Sequence, residues 1–513
     1  MSRCGAAISW LLLFASATMA AEPRRPNVIL ILADDLGLGD VKATNPASKI
    51  AVPALDRLAR EGLTFRDAHA PSSVCSPTRY GLLTGRSSWR STLARGVLSG
   101  TSPPLVPADR PTLAHLLKAA GYHTAMIGKW HLGWNWGRGA GGEIDFAAPV
   151  TGGPDANGFD EYFAFSGSLD MPPYVWVENG RPTALPDRRE GVTKHQDPYG
   201  WYREGPIAAD FRIPEILPTI ARRAVASIKQ RAAASNALDK PFFLYLPLPA
   251  PHTPIVPEPP FKGASSLNPY ADFVMQVDHH VGQILAALDE AGVAEHTLVI
   301  VTSDNGCSPE ANFDLLRQHG HDPSAGFRGH KADIFEAGHR VPLVVRWPAV
   351  IAGGRTTDAV ACLTDLFPTL AEVAAVRHPP ELPGGEDGWS LGPVFGGGDS
   401  TGRETLVSHS ADGSFAIRQG RWKLCLCGGS GGWSEPREPE AKKRGLPPVQ
   451  LYDLEADPAE TRNLEADHPE VVADLIARLS AEVSRGRSTP GPKLANDREV
   501  TFLPPGVTAR PQR

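Results

Sequence analysis

Asn27-Val-Ile-Leu-Ile-Leu-Ala-Asp-Asp35 is an unbroken apolar run that ends in two carboxylates. A continuous run of β-branched and leucine residues predicts a strand that is buried on both faces of its sheet. Comparable apolar runs lie at residues 124–128, 241–247, 297–302 and 341–346, and helical patterns lie at 53–62, 112–121, 214–230, 273–288 and 365–375. Strands that alternate with helices predict an α/β fold, in which a large mixed, mostly parallel sheet is sandwiched by helices.

The composition changes near residues 380–403, which are rich in glycine and proline. Beyond this stretch, the sequence predicts a hairpin over 414–427, a strand over 450–453 and an amphipathic helix over 467–486. These elements predict a smaller C-terminal α+β domain that carries an antiparallel sheet. We therefore assign residues 25–400 to a large α/β domain, 404–486 to the C-terminal domain and 487–513 to a tail.

Residues 1–20 have the pattern of a secretory signal peptide, with Arg3, an apolar run over 6–15 and the small residues Thr18-Met-Ala20 before the cleavage point. The sequence therefore predicts an exported protein, periplasmic or extracellular, and no later segment is long enough to cross a membrane. A net charge of −6 without a basic block argues against nucleic-acid binding. After cleavage the chain would retain an odd number of cysteines, so at least one is unpaired or altered. They are Cys75, Cys307, Cys362, Cys425 and Cys427.

The segment Val74-Cys-Ser-Pro-Thr-Arg79 combines a potential nucleophile with a permanent cation. Pro77 disfavours helical geometry at Ser76, and a helical pattern resumes at Thr78. Cys75 is therefore expected just before a helix N-terminus, where free N–H groups and the helix dipole favour anions. With Arg79 close by, the sequence predicts that Cys75 faces a site suited to a tetrahedral anion.

Polar residues follow the predicted strands at their carboxyl ends, where open α/β sheets have their sites. These residues are Asp34 and Asp35, Lys129 and His131, His252, and Asp304 with Asn305, and Lys331 lies in a glycine-flanked loop. The carboxylate and amide oxygens suit Ca²⁺ or Mg²⁺ rather than a softer metal. The lysines and the arginine can hold an anion, and the histidines can transfer protons near neutral pH.

Residues 134–215 are rich in glycine, proline and aromatic side chains and have weak periodicity, so we interpret them as an insertion over the sheet edge. Two interpretations of the aromatic residues stay open. They form the rim of a sugar-binding site, or they pack the insertion onto the domain. The residues concerned are Trp134, Trp136, Tyr174, Trp176, Tyr199, Trp201 and Tyr202, with His195 among them.

The segment Cys75-Ser-Pro-Thr-Arg79, followed by Leu83-Thr-Gly-Arg86, resembles the signature of type I sulfatases. Gly128-Lys-Trp-His-Leu-Gly133 is a second motif of that family, and the resemblance extends from about Asn27 to the end of the C-terminal helix. It is strongest to arylsulfatase A and N-acetylgalactosamine-6-sulfatase-like members. The resemblance implies an alkaline-phosphatase-like fold and the hydrolysis of a sulfate ester, either a sulfated sugar, for which a 6-sulfate is a reasonable expectation, or an aryl sulfate.

The resemblance also implies the chemistry of the site. A formylglycine-generating enzyme would oxidise Cys75 to Cα-formylglycine, and one hydroxyl of its hydrate would attack sulfur. His252 or Lys331 would protonate the leaving alcohol, and His131 would accept the proton of the second hydroxyl as sulfate leaves. The implied metal ligands are Asp34, Asp35, Asp304 and Asn305 with the modified Cys75, and the implied sulfate-binding and catalytic residues are Arg79, Lys129, His131, His252 and Lys331.

Two rival functions stay open, and five residues are predicted to contact the substrate. The rivals are a phosphonate monoester or phosphodiester hydrolase, which is similar in fold and motif, and a secreted carbohydrate-binding protein with an unmodified cysteine. The residues predicted to line the substrate pocket are Trp134, His195, His319, His321 and Arg328.

Overall fold

The computed structural model describes residues 25–238 and 240–508, so the predicted signal peptide lies outside the described residues. In chain order the strands are β1 (Asn27–Asp34), β2 (Leu63–Phe65), β3 (Ala68–His69), β4 (His123–Lys129), β5 (Glu161–Phe165), β6 (Val177–Glu178), β7 (Arg181–Pro182), β8 (Pro186–Val192), β9 (Tyr202–Ala208), β10 (Phe242–Pro251), β11 (Thr297–Ser303), β12 (Leu343–Arg346), β13 (Arg355–Thr357), β14 (Ala361–Cys362), β15 (Leu406–His409), β16 (Phe415–Gln419), β17 (Trp422–Cys425) and β18 (Gln450–Asp453). The α-helices are α1 (Pro53–Arg60), α2 (Cys75–Thr84), α3 (Leu113–Ala119), α4 (Ile216–Leu238), α5 (Pro269–Glu290), α6 (Phe313–Gln318), α7 (Glu336–His339), α8 (Leu366–Val373), α9 (Gly392–Phe395), α10 (Glu438–Lys443) and α11 (Pro469–Arg485).

Strand β1 lies in the middle of a ten-stranded sheet with the order β13-β2-β12-β11-β1-β10-β4-β5-β6-β7. It pairs in parallel with β10 and β11, so that Ile31 stands opposite Leu246 and Val301. All eight of its residues are buried, which explains its unbroken apolar sequence. One helix group (α1, α4 and α5) and a second group (α2, α3 and α8) cover the sheet. The predicted α/β fold, with a mixed, mostly parallel sheet between helices, is confirmed.

Two parts of the sheet depart from a simple alternation of strands and helices. Strand β12 runs antiparallel to β11 and β2. The chain before it holds loops and short helices instead of one long crossover, and a parallel return would need such a crossover. Strands β5, β6 and β7 extend the sheet within residues 134–215, and β5 pairs in parallel with β4. Part of this segment therefore extends the sheet at its edge, where the sequence predicted an insertion over that edge.

Most aromatic residues of that segment pack against one another inside the protein. Phe163 stacks on Trp176 with ring centroids 4.2 Å apart, and Trp134 meets Trp136 edge to face at 5.3 Å. The buried residues are Trp134, Trp136, Tyr174 and Trp176. Packing therefore accounts for these four, whereas Trp201 lines a cavity that is described below.

Strands β15, β16, β17 and β18 form the antiparallel sheet that was predicted for the C-terminal part. Helix α11 packs on it through the buried residues Leu475, Ile476 and Leu479. The predicted tail returns to the large domain, where Arg86 Nη2 donates to the carbonyl oxygen of Ala495 at 3.0 Å. Among the helices of the described residues, none has the length and apolarity needed to span a membrane.

A buried charge cluster joins the C-terminal sheet to the large domain. Lys423 of β17 forms ion pairs with Glu336 of α7 at 3.0 Å and with Glu460 at 2.8 Å. Its Nζ also lies 3.2 Å from Nε2 of His339, and Nδ1 of His339 lies 3.0 Å from Nδ1 of His69. Burial lowers the pKa of both histidines, so both rings are neutral. These contacts fix the position of the C-terminal sheet on the large domain.

Because several buried histidines are neutral in the folded protein, we expect the protein to lose stability in acid. Burial lowers the pKa of His409 from 6.5 to about 4, and burial also lowers the pKa of His69, His131 and His339. Between these pH values the unfolded chain binds more protons than the folded protein, so stability falls as the pH falls. For His409 alone the expected loss is roughly 3 kcal/mol.

The measurement is the melting temperature between pH 7 and pH 4.5, where the wild-type protein should melt at progressively lower temperature. The variant His409→Leu removes one titrating ring and should show a shallower decline. An identical slope in the two proteins would contradict the assignment to His409.

Candidate active site

The carboxyl ends of β1 and β11 bring four oxygen-bearing side chains together. Carboxylate oxygens of Asp34, Asp35 and Asp304 lie within 4.8 Å of one another, and all three residues are buried. Asp35 has a left-handed backbone conformation with φ of 68°, which lets two consecutive carboxylates converge at the strand end. Asn305 Nδ2 donates to Asp35 Oδ1 at 2.6 Å, so its amide belongs to the same group.

Two buried oxygens of this group, Asp34 Oδ1 and Asn305 Oδ1, find no hydrogen-bond donor among the described residues. An unpaired oxygen in the interior is costly unless a donor or a cation meets it. Three carboxylates and one amide are the donor set that Ca²⁺ or Mg²⁺ prefers. The residues therefore fit a divalent cation of this kind.

Three cationic side chains surround the carboxylates. Arg79 Nη1 donates to the carbonyl oxygen of Lys129 at 3.1 Å, and the side chains of Arg79 and Lys129 are fully buried. Lys129 pairs with Asp34, and Lys331 Nζ donates to Asp35 Oδ2 at 2.8 Å. The carboxylate cluster is thus ringed by positive charge, which can also hold a tetrahedral anion.

The carboxylates have shifted pKa values for identifiable reasons. Burial alone would raise the pKa of Asp34, but Lys129 and further cations hold it below its usual range. Burial and the charge of Asp34 raise the pKa of Asp304 to about 6, although Arg79 Nη2 donates to its Oδ2 at 2.7 Å. A cation between the two carboxylates would favour the ionised form of both.

Cys75 is the first residue of α2, so the helix begins earlier than the predicted start at Thr78. Pro77 is tolerated in the first helical turn because its missing N–H would have no partner there. The Cys75 sulfur, a carboxylate oxygen of Asp34 and a ring nitrogen of His252 lie within 4.8 Å of one another. Burial raises the pKa of the Cys75 thiol to about 11. An unmodified Cys75 is therefore a neutral thiol at pH 7 and a weak nucleophile.

His131 is buried beside this cluster, in a defined tautomer. Its Nε2 lies 2.8 Å from the carbonyl oxygen of Leu98, and its Nδ1 has no partner within the described part of the chain. Because a carbonyl oxygen only accepts, Nε2 carries the proton and Nδ1 is the basic nitrogen. Burial, with the charges of Lys129 and Arg79, lowers the pKa of His131 well below its usual value. His131 is thus a neutral imidazole with a free basic nitrogen.

A cavity of about 610 Å³ opens onto Cys75, and His252, Lys331 and Ser168 also line it. Sequence reasoning missed Ser168. Its Oγ accepts a hydrogen bond from Lys129 Nζ at 3.0 Å and lies 3.4 Å from Nε2 of His252. The residue follows β5, a strand that the sequence analysis did not predict, so no strand end marked its position.

Residues 26–376 match the family profile described as Sulfatase, which covers more than half of the chain. The chain belongs to the sulfatase family. N-acetylgalactosamine-6-O-sulfatase of Bacteroides thetaiotaomicron is 33% identical over 501 residues, with 90% of this chain and 94% of that protein covered. Arylsulfatase A of Homo sapiens is 33% identical over 533 residues, with 99% of this chain and 98% of that protein covered.

A solved structure from work on glycosaminoglycan metabolism by Bacteroides thetaiotaomicron shares the fold of this sulfatase. Its TM-score is 0.77 at 32% sequence identity, and 89% of this chain and 99% of that chain are covered. The predicted alkaline-phosphatase-like fold and the predicted relation to arylsulfatase A and N-acetylgalactosamine-6-sulfatase are confirmed. The protein is an enzyme that hydrolyses sulfuric esters.

This sulfatase brings the motif residues into one network of direct contacts, with His131 beside it. The network consists of Asp34, Asp35, Cys75, Arg79, Lys129, His252, Asp304, Asn305 and Lys331. Their roles as metal ligands and catalytic groups remain proposals. The residues at the ends of β1, β4, β10 and β11 converge because the carboxyl ends of parallel strands meet at one edge. Cys75 and Arg79 come from α2, and Lys331 comes from a loop.

The five residues predicted to contact substrate lie outside the lining of this cavity. Trp134 is 1% exposed, His321 Nε2 lies 2.8 Å from a buried aspartate oxygen, and Arg328 Nη1 donates to a tyrosine hydroxyl at 3.0 Å. His195 and His319 are exposed on the surface. Packing or hydrogen bonds engage the first three side chains, and the substrate contacts of all five residues stay a prediction.

Proposed function

We propose that this sulfatase removes sulfate from a sulfated sugar, with a 6-sulfated N-acetylhexosamine as the first substrate to test. The observation that carries the proposal is the position of Cys75, whose sulfur lies within 4.8 Å of the Asp34 carboxylate and the His252 ring at the cavity wall. The relative from Bacteroides thetaiotaomicron, named for N-acetylgalactosamine 6-O-sulfate, supports the substrate class. Lys194 and Arg203 also line this cavity, where they form ion pairs with Glu310 and Asp170.

Oxidation of Cys75 to Cα-formylglycine by a formylglycine-generating enzyme is part of this proposal. As its hydrate, formylglycine supplies one hydroxyl that attacks sulfur and a second that allows sulfate to leave. The raised pKa of the buried thiol supports the conversion, since the neutral thiol is a weak nucleophile. Arg79, Lys129 and Lys331 would hold the sulfate oxygens. His252 and Lys331 both line the cavity, and one of the two is proposed to protonate the leaving alcohol.

The second part of the proposal is a divalent cation, Ca²⁺ or Mg²⁺, held by Asp34, Asp35, Asp304 and Asn305 together with residue 75. Such a cation would polarise the sulfate ester. Ca²⁺ added to chelator-treated protein is expected to raise its melting temperature, because a ligand that binds only the folded state at a hundred times its Kd adds about 2.7 kcal/mol.

Thermal melting with and without Ca²⁺ measures this effect without turnover. The double variant Asp34→Asn/Asp304→Asn should lose the Ca²⁺-dependent shift, because two ligand charges are removed. Asp187→Asn, at an exposed aspartate, is the matched control and should retain it. A shift that survives in the double variant would place the cation elsewhere.

His131→Gln is expected to lower kcat by about 10²- to 10⁴-fold with a smaller change in KM, because Nδ1 of His131 is proposed to accept the proton as sulfate leaves. Steady-state turnover of 4-nitrophenyl sulfate measures both constants. His296→Gln, at an exposed histidine, should behave as wild type. A His131 variant with unchanged kcat would remove this residue from the mechanism.

Sulfate release tests the function as a whole. We expect the protein, produced with the maturation enzyme, to release sulfate from N-acetylgalactosamine 6-sulfate and from 4-nitrophenyl sulfate. Faster hydrolysis of bis(4-nitrophenyl) phosphate would favour the phosphodiester hydrolase. Binding of the sugar sulfate without turnover, by protein whose Cys75 is unmodified in its native host, would favour the carbohydrate-binding alternative.

A further inference from the structure

Trp433 is the one aromatic residue among the large hydrophobic side chains that are exposed within residues 25–238 and 240–508. It is 42% exposed. An indole gains free energy when it is covered by another apolar surface. The surroundings of Trp433 in the fold indicate which kind of ligand would cover its ring.

Trp433 lines the same cavity as the catalytic centre, although it belongs to the C-terminal part of the chain. Lys331 Nζ lies 6.0 Å from the centroid of its ring. Trp201 lines this cavity too, but Lys194 Nζ lies over its ring at 4.7 Å, and its Nε1 donates to a glutamate at 3.1 Å. Trp201 is thus engaged by the protein itself, whereas the ring of Trp433 remains exposed at the cavity.

A buried carboxylate fixes the backbone of Trp433. Asp333 Oδ1 accepts hydrogen bonds from the backbone N–H groups of Trp433 at 2.8 Å and of Ser434 at 3.0 Å. Its Oδ2 accepts from the backbone N–H of His330 at 3.1 Å, and Nε2 of His330 lies 3.0 Å from the Ser434 hydroxyl. The loop that carries Trp433 is therefore bound to the loop that carries Lys331. This arrangement fixes the backbone that carries the indole before any ligand arrives, which lowers the cost of binding.

We propose that Trp433 is a stacking platform for the sugar ring that bears the sulfate group, so that the C-terminal part of the chain supplies part of the substrate site. This inference rests on the proposed sugar sulfatase function. One face of a pyranose ring presents C–H groups, and an indole offers a large rigid surface to it at low entropic cost. With Lys331 Nζ 6.0 Å from the ring centroid, the sulfate group lies at the lysine while its sugar ring lies over the indole.

The test compares a ligand that has a sugar ring with one that has none. Trp433→Ala is expected to raise KM for N-acetylgalactosamine 6-sulfate about tenfold, which equals about 1.4 kcal/mol. A change confined to KM, with kcat within about twofold, identifies lost binding of the ring rather than lost catalysis. Inhibition by inorganic sulfate should be unaffected, and Trp433→Phe should retain most of the affinity. Leu446→Ala, at a 36% exposed side chain that follows α10 and lies outside the cavity lining, is the matched control and should resemble wild type.

Calorimetric titration of the Cys75→Ala protein with the same sugar sulfate measures the platform without turnover. A Kd that weakens about tenfold when Trp433→Ala is added supports the platform, and an unchanged Kd overturns it. If Trp433→Ala weakens the binding of sugar sulfate and of inorganic sulfate equally, the platform is also overturned, because the indole would then support only the sulfate pocket. Absence of sulfate release by the wild-type enzyme would instead overturn the proposed function, while the calorimetric result still decides the platform.

Discussion

Cys75→Ser is expected to lower kcat for 4-nitrophenyl sulfate by about a thousandfold or more, in a host whose maturation enzyme oxidises cysteine. Serine has one side-chain oxygen, so after this oxygen attacks sulfur no second hydroxyl remains whose proton loss expels sulfate. The surrounding charges would be unchanged, because Arg79, Lys129 and the carboxylates contact one another directly. Substrate affinity should therefore change much less than kcat.

The mass of the peptide that contains residue 75 is measured in parallel with turnover. Conversion of the thiol to the aldehyde lowers the peptide mass by about 18 units. Cys362→Ser, at another buried cysteine that does not line the cavity, is the matched control and should keep its activity. Turnover of the Cys75→Ser protein near the wild-type level, or full activity with an unmodified Cys75, would refute the formylglycine mechanism.

Lys423→Met is expected to lower the free energy of unfolding by about 3–5 kcal/mol, the usual result of removing one partner from a buried ion pair. Lys423 is 1% exposed, and its ammonium group balances the buried carboxylates of Glu336 and Glu460. Methionine fills a similar volume but leaves these carboxylates without that cation. Since the cluster joins the C-terminal sheet to the large domain, the substitution should also weaken the contact between the sheet and that domain.

Chemical denaturation measures the loss, and Lys229→Met is the matched control. Lys229 pairs with Glu290 at 2.9 Å, but the two side chains are 55% and 63% exposed. A surface pair of this kind contributes at most about 1 kcal/mol. Equal destabilisation by the two variants would show that burial of Lys423 is not what makes its pairing important.

The sequence alone predicted the α/β fold and most of the residues that converge near Cys75, and the reason is geometric. Strand β1 is buried on both faces, so its sequence is apolar throughout and is easily recognised. Carboxyl ends of parallel strands meet at one edge, so polar residues that follow β1, β4, β10 and β11 could be grouped without knowledge of any contact. Asp34, Lys129, His252 and Asp304 were found in this way.

Only the tertiary structure decided features that depend on contacts between distant parts of the chain. Periodicity shows which face of one element is apolar, but it does not show which other element covers that face. For this reason the aromatic residues near Trp134 could not be assigned to packing, and Ser168 and Trp433 could not be placed in the cavity. The tautomer of His131 likewise follows from the carbonyl oxygen of Leu98, which lies 33 residues earlier in the chain. Such contacts form between loops of separate elements, and the local sequence of either loop does not indicate which other loop it contacts.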